Sequence, residues 1–328
     1  MIRKMLAACL ALAALCLASC GRDDTKTIRF SFESAEDQGS MGRLWQPVLD
    51  DMQRKTGLKV TAYYASNYAA VVEAMRFNQV QVGWFSALPT LEAIRRADGE
   101  ILGRITDEGG ARDYESVLIV RKGSGITLND VLKCDKRLNF GIGDARSTSG
   151  TLAPMSYLFI PRNIDPEVCF KVVRSASHQA NLFAVANGVV DVATNNTVGL
   201  QFAHRDEPAA ADKVEVIWTS PPLPESSIVV RQDLDPAIKA KLKAFFVTYG
   251  TEPGPEGDRE RRVLKALTFG GFAVAGADYL DPVKRMDAGE ALYDAKKAGD
   301  PSRIAAAQKT YDAVMTEIAS HKAAAPAK

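Results

Sequence analysis

Several marks of large functional classes are missing from this chain. Its 41 Lys and Arg are balanced by 40 Asp and Glu, a net charge of +1. With no basic excess to neutralise a phosphate backbone, nucleic acid is not an expected partner. There are three His in 328 residues, and the five Cys show no CxxC or Cys/His spacing, so neither a metal site nor any other cofactor is expected. No GxxxxGK[ST] phosphate loop and no GxSxG nucleophile elbow occurs, which removes the usual signs of nucleotide hydrolysis and of an α/β hydrolase. Beyond the N-terminus no apolar run reaches the roughly 20 residues of a spanning helix. What is present is 46% hydrophobic and 25% charged residues. That balance fits a soluble globular chain of about two domains, and excludes a disordered or collagen-like one.

The N-terminus reads as an export segment. Arg3 and Lys4 precede a short apolar run over 5–18, which ends in Leu17-Ala18-Ser19-Cys20. This resembles a bacterial lipobox, in which acylation of Cys20 would anchor the protein to a membrane surface. Residues 1–19 are thus expected to be a lipoprotein signal peptide and 20–26 a polar tether; an ordinary signal peptide with an incidental Cys is the alternative. After removal of Cys9 and Cys16 and acylation of Cys20, Cys134 and Cys169 remain as an even pair in an oxidising compartment. They could form a disulfide or stand as two buried thiols.

From residue 27 the chain alternates strand and helix. Strands are expected at 27–31, 58–64, 82–85 and 115–120, with helices at 41–56, 68–77 and 88–97 between the first of them. The pattern restarts with a short helix at 128–132, strands at 138–142, 170–173, 190–194 and 214–218, and helices at 150–159 and 181–187. A strand at 227–231 and helices at 236–249 and 259–267 follow. Such alternation implies an α/β fold of parallel sheets with helices on both faces. Chain crossings at 121–124 and 221–226 would build two lobes on a hinge, the first from 27–121 and 225–270 and the second from 122–224. Ligands of open α/β sheets sit beyond the carboxyl ends of the strands, here between the lobes. The Ala-rich segment 288–320 reads as one or two helices broken at Gly299-Asp300-Pro301. With the tail they form a C-terminal unit, 271–328, that could pack on the first lobe or pair two copies in a homodimer.

The clearest chemical feature is Gly143-Asp144-Ala145-Arg146-Ser147-Thr148-Ser149-Gly150. A strand ends, a turn follows, and three hydroxyls open a helix whose first N–H groups and positive dipole end favour an anion. One of the hydroxyls could equally be only an N-cap. His178, between the predicted strand at 170–173 and the helix from 181, could donate to the same anion or simply cap. Tyr68 and Tyr114 follow polar turns and could donate from their hydroxyls or merely pack. Ser147 or Ser149 with His178 could also be imagined as a hydrolase pair, although a Ser in a helix cap is not a strained elbow.

At these residues the sequence resembles the periplasmic phosphonate-binding proteins of ABC transporters, over about residues 27–270. The resemblance is carried by Tyr68-Ala69 with Glu73-Ala74-Met75-Arg76-Phe77, by Ser116-Val117-Leu118-Ile119-Val120, and by Gly143-Asp144 leading to Ser147-Thr148-Ser149-Gly150. It continues through His178, Ala184-Val185-Ala186-Asn187, Asp191-Val192-Ala193-Thr194-Asn195-Asn196-Thr197 and Ile217-Trp218 with Ser220-Pro221. It implies a two-lobe periplasmic binding protein of type II character that serves an ABC permease and has no enzymatic activity. It also implies that Ser147, Thr148, Ser149 and His178 grip a small phosphonate-type anion while Tyr68 and Tyr114 close on it from the other lobe. Family members that take an aminoalkyl phosphonate hold its ammonium with two carboxylates, and at those positions this chain has Val198 and Ser226. Phosphite, methylphosphonate or a similar ligand is therefore expected rather than 2-aminoethylphosphonate. Phosphate or another oxyanion is the alternative, and Glu225, one position away, is the residue that could restore an amine partner.

Overall fold

The computed structural model describes residues 27–35 and 38–324. The expected leader, Cys20 and tether lie outside the described residues. In chain order the strands are β1 (Thr27–Phe32), β2 (Lys59–Tyr64), β3 (Val82–Phe85), β4 (Gly99–Thr106), β5 (Asp113–Tyr114), β6 (Ser116–Arg121) and β7 (Asn139–Ile142). They continue with β8 (Val172–Ser175), β9 (Val192–Asn196), β10 (Val214–Thr219), β11 (Leu223–Pro224), β12 (Ser227–Arg231) and β13 (Gly271–Ala273). A six-stranded sheet in the order β13-β4-β12-β3-β1-β2 forms the first lobe, and a five-stranded sheet in the order β10-β6-β9-β7-β8 forms the second.

The small antiparallel pair β5–β11 lies where the chain changes sheet, with Tyr114 opposite Leu223. The predicted first crossing at 121–124 is corrected by this pairing. Ser116–Val120 pairs along β9 and Arg121 still pairs with Val214 of β10, so β6 belongs wholly to the second sheet. The first lobe thus ends near 113–114. The second change of sheet, at Leu223–Pro224, falls inside the predicted 221–226. The apolar run of β6 is buried at every position but its last, so it would suit either sheet; only its neighbours decide. All-parallel sheets were also expected. β1–β2, β1–β3, β7–β8 and β7–β9 are parallel, but β12, β4, β13, β6 and β10 pair antiparallel.

Each lobe has its own core. In the first, Trp45 is fully buried against Phe30, Trp84 and Phe269, with ring centroids 4.9, 5.9 and 5.9 Å away. In the second, Phe140 stacks on Phe170 at 4.5 Å and meets Phe159 edge-on. Cys134 and Cys169 are joined by a disulfide spanning 35 residues of this lobe. A loop of that length restrains the unfolded chain by about 3–4 kcal/mol in the chain-entropy model. Cys134→Ala/Cys169→Ala protein should therefore unfold at a clearly lower denaturant concentration than the oxidised form, an effect read from urea midpoints with and without reductant.

Several elements were not anticipated, among them β4 and the helix Thr197–Asp206. β4 carries two glycines in GEILGRIT, which dilute its strand signal. The helix Thr197–Asp206 opens with Thr-Val-Gly, all weak helix formers; it starts because the Asn196 side chain caps the Gly199 N–H at 2.7 Å. At the C-terminus, Asp281–Ala298 and Pro301–Ala324 pack on each other and break at Gly299, which adopts φ 70°. The first of them also packs on the helix Ala87–Arg96 of the first lobe, on β11, and on the helical run after Ser147 in the second lobe. Ion pairs Arg95–Asp287 and Lys297–Asp165 tie it to both sides.

Candidate functional site

β7 ends at Ile142, and the turn behind it returns to a helical run that opens with π-helical Thr148–Leu152. The close approach depends on glycine. Gly143 N–H donates to the Gly150 carbonyl at 3.0 Å, and a Cβ on Gly143 would lie 2.5 Å from the Gly150 Cα. Ser147 caps this helix by accepting the Gly150 N–H at 2.9 Å. Ser147, Thr148 and Ser149 are all buried at the positive end of the helical run, whose first N–H groups have no partner inside it. The helix His178–Ala186 begins alongside, capped by Ser177. Its His178 Nε2 lies 3.4 Å from Ser147 Oγ and 3.3 Å from Ser149 Oγ. Asn196, at the end of β9, donates to Ser149 Oγ at 3.1 Å.

The first lobe and the hinge supply the other wall. Across the cleft the Tyr68 hydroxyl interacts with Ser147 and the Tyr114 hydroxyl with Ser149. The lobes are closed on one another: Leu88 N–H donates to Thr148 Oγ1 at 2.8 Å, Tyr68 N–H to Asp144 at 3.4 Å, and Arg146 pairs with Glu92 at 3.2 Å. Between them lies a cavity of about 40 Å³, room for about three waters and so for a compact ligand. Five of the six predicted binding residues, Tyr68, Tyr114, Ser147, Ser149 and His178, line it. Thr148 does not; its hydroxyl sits at the contact with Leu88. Val198 and Ser226, the positions at which the resemblance implies carboxylates in binders of aminoalkyl phosphonates, both line the cavity. A wider outer cavity of about 370 Å³ adjoins at His178, Gly199 and Phe202 and is lined by Arg43 and Gln179.

Sequence reasoning did not single out Glu33, Ser86 or Asn196, which also line the cavity. Glu33 and Ser86 follow β1 and β3, neighbours in the sheet that end at the cleft; a tally of residues just past parallel strand ends would have found them. Asn196 was legible only as part of a longer match. Glu225 is present too, with Oε1 accepting from the Ser226 N–H at 2.9 Å and the Ser226 hydroxyl at 2.7 Å.

Burial governs the charge of these groups. It pushes His178 down to about 4, so the ring is neutral at pH 7. It pushes the Tyr68 and Tyr114 hydroxyls well above their ordinary range, which keeps them protonated donors. It raises Glu225 and carries Glu33 up to about 8. The site is therefore a small box of neutral hydrogen-bond donors around a helix start. Such donors form charge-assisted bonds to an anion, about twice as strong as neutral ones, and they come from both lobes.

The family model for the periplasmic phosphonate substrate-binding protein of ABC transporters matches residues 30–280. The chain is 39% identical over 265 residues to the phosphonates-binding periplasmic protein of Escherichia coli, covering 80% of this chain and 77% of that one. Its fold matches the crystal structure of a binding protein component of an ABC phosphonate transporter from Pseudomonas aeruginosa with a TM-score of 0.84. The two are 34% identical, over 90% of this chain and 99% of that one. PhnD1 from Prochlorococcus marinus, solved with methylphosphonate, shares the fold at TM-score 0.71 and 18% identity, over 81% of this chain and 98% of that one. The chain belongs to the phosphonate-binding family of periplasmic ABC-transporter substrate-binding proteins.

Proposed function

We propose that this protein captures a small phosphonate-type oxyanion that carries no amine, such as phosphite or methylphosphonate, and presents it in the closed form to its permease. One observation carries the choice of ligand: the donors of both lobes converge on a cavity of about 40 Å³ walled by Val198 and Ser226, and its two acids, Glu33 and Glu225, are pushed toward the neutral form by burial. A buried ammonium without a carboxylate is strongly penalised. The grip comes from Ser147, Ser149 and His178 on one side and Tyr68 and Tyr114 on the other, with Thr148 contributing at the lobe contact. Because the two walls sit on different lobes, all donors are satisfied only in the closed state, and binding shifts the hinge equilibrium.

The protein acts by capture, without turnover. Ser147 and Ser149 lie near His178, but His178 Nδ1 has no hydrogen-bond partner among the described residues. A hydrolytic Ser–His pair needs that nitrogen held by an orienting acid. Acylation of Cys20 keeps the protein at the membrane surface in the periplasm. Calorimetric titration of protein lacking residues 1–20 should give one site per chain for phosphite or methylphosphonate and binding at least tenfold weaker for 2-aminoethylphosphonate. Tighter binding of the aminoethyl compound would overturn the ligand assignment.

A further inference from the structure

Glu33 is 1% exposed, and its Oε1 has no hydrogen-bond partner among the described residues. It follows β1 and lines the same cavity as Tyr68, Ser147 and Ser149. Among the described lining residues there is no Lys or Arg. An ionised, buried Glu33 would set a second negative charge against a bound anion, with no cation in the described lining to offset either. A neutral carboxyl has the opposite effect, since its O–H is one more donor.

We propose that Glu33 is a specificity-determining residue of this site, which meets the bound oxyanion as a neutral carboxylic acid and donates a hydrogen bond to it from its own hydroxyl. This rests on the reading of the cleft as an oxyanion site.

The titratable groups around Glu33 favour the neutral form. Asp144, across the cleft after β7, raises its proton affinity, and burial raises it more; the Ser86 N–H and hydroxyl oppose both without prevailing. Tyr68, Tyr114 and Tyr279 are raised by burial and by the Glu33 charge, so they stay neutral and bring no charge to Glu33. His178 is neutral, and Glu225 is itself raised by burial. No group in this set supplies a positive charge at neutral pH. With the free carboxyl titrating at about 8, Glu33 is mostly protonated at pH 7 and mostly ionised at pH 9. If only the protonated form accepts the anion, affinity is level below that point. Above it, affinity falls by about tenfold per pH unit, as one required proton is lost.

The test compares wild type with Glu33→Gln and Glu33→Ala in methylphosphonate titrations from pH 6 to 9.5. The ligand's own ionisation is common to all three proteins, so it cancels in the ratio of affinities. Gln keeps a neutral donor at every pH. The Gln variant should therefore gain on wild type by about tenfold per pH unit above 8. Ala keeps no donor and should bind about tenfold or more weakly than wild type at pH 7. A Gln-to-wild-type ratio that stays flat to pH 9.5 overturns the proposal. So does loss of binding in the Gln variant at pH 7 together with wild-type preference for 2-aminoethylphosphonate, because Glu33 would then be an ionised partner of an ammonium. If wild type binds no phosphonate, phosphite or phosphate at any pH, the oxyanion reading fails and this inference with it. A flat ratio with tight wild-type binding defeats the inference alone.

Discussion

The Tyr68→Phe/Tyr114→Phe protein should fold and bind methylphosphonate at least a hundredfold more weakly than wild type. Each substitution removes one hydroxyl and leaves the ring in place; both rings are buried, at 4% and 8% exposure. A hydrogen bond to a charged partner contributes about 1.5–3 kcal/mol, so each loss corresponds to roughly 10- to 150-fold in affinity. The two hydroxyls reach different serines, Ser147 and Ser149, so much of the effect should add. The comparison of each single variant with the double one, by calorimetry, measures the coupling. The denaturation midpoint of the empty protein should move much less than the affinity, since the hydroxyls bridge a cleft and not a core. A double variant that binds like wild type would place the anion elsewhere.

Gly143→Ala is expected to damage both stability and binding. The new Cβ would meet the Gly150 Cα at 2.5 Å and its carbonyl carbon at 2.7 Å. These are backbone atoms and cannot turn aside as a side chain would. Overpacking of this kind costs about 1–3 kcal/mol, and any relief must come from moving the turn away from the helix start. That displaces Ser147 and Ser149, whose positions the anion needs, so affinity should fall by about a hundredfold or more. Gly289→Ala is the control: its nearest neighbour would be a Tyr311 ring carbon at an ordinary 3.7 Å. Urea midpoints and methylphosphonate titrations on both variants check the contrast.

Local pattern made much of this molecule legible. The alternation of β1, β2 and β3 with helices can be read from apolar spacing, and the Gly143-to-Gly150 segment announces a strand, a tight turn and a helix start. The disulfide was open on sequence grounds, because two cysteines in an exported chain say nothing of their distance. The first crossing was misplaced, since an apolar strand such as β6 carries no mark of the sheet it joins; its pairing with β9 and β10 is a property of the whole fold. Glu33 was missed for a related reason. In sequence it is one acid after a strand, and only the closure of the lobes puts it beside Tyr68 and Ser149 in one small cavity. Thr148 was grouped with its neighbours because three adjacent hydroxyls look equivalent, whereas the helical path turns the middle one toward Leu88.

The most direct test of the oxyanion site is a crystal structure of the protein with methylphosphonate. The account predicts the phosphonate oxygens within hydrogen-bond distance of Ser147, Ser149, His178, Tyr68 and Tyr114, in the inner cavity between closed lobes. A phosphonate seated instead in the outer cavity against Arg43, with those five side chains untouched, would contradict it.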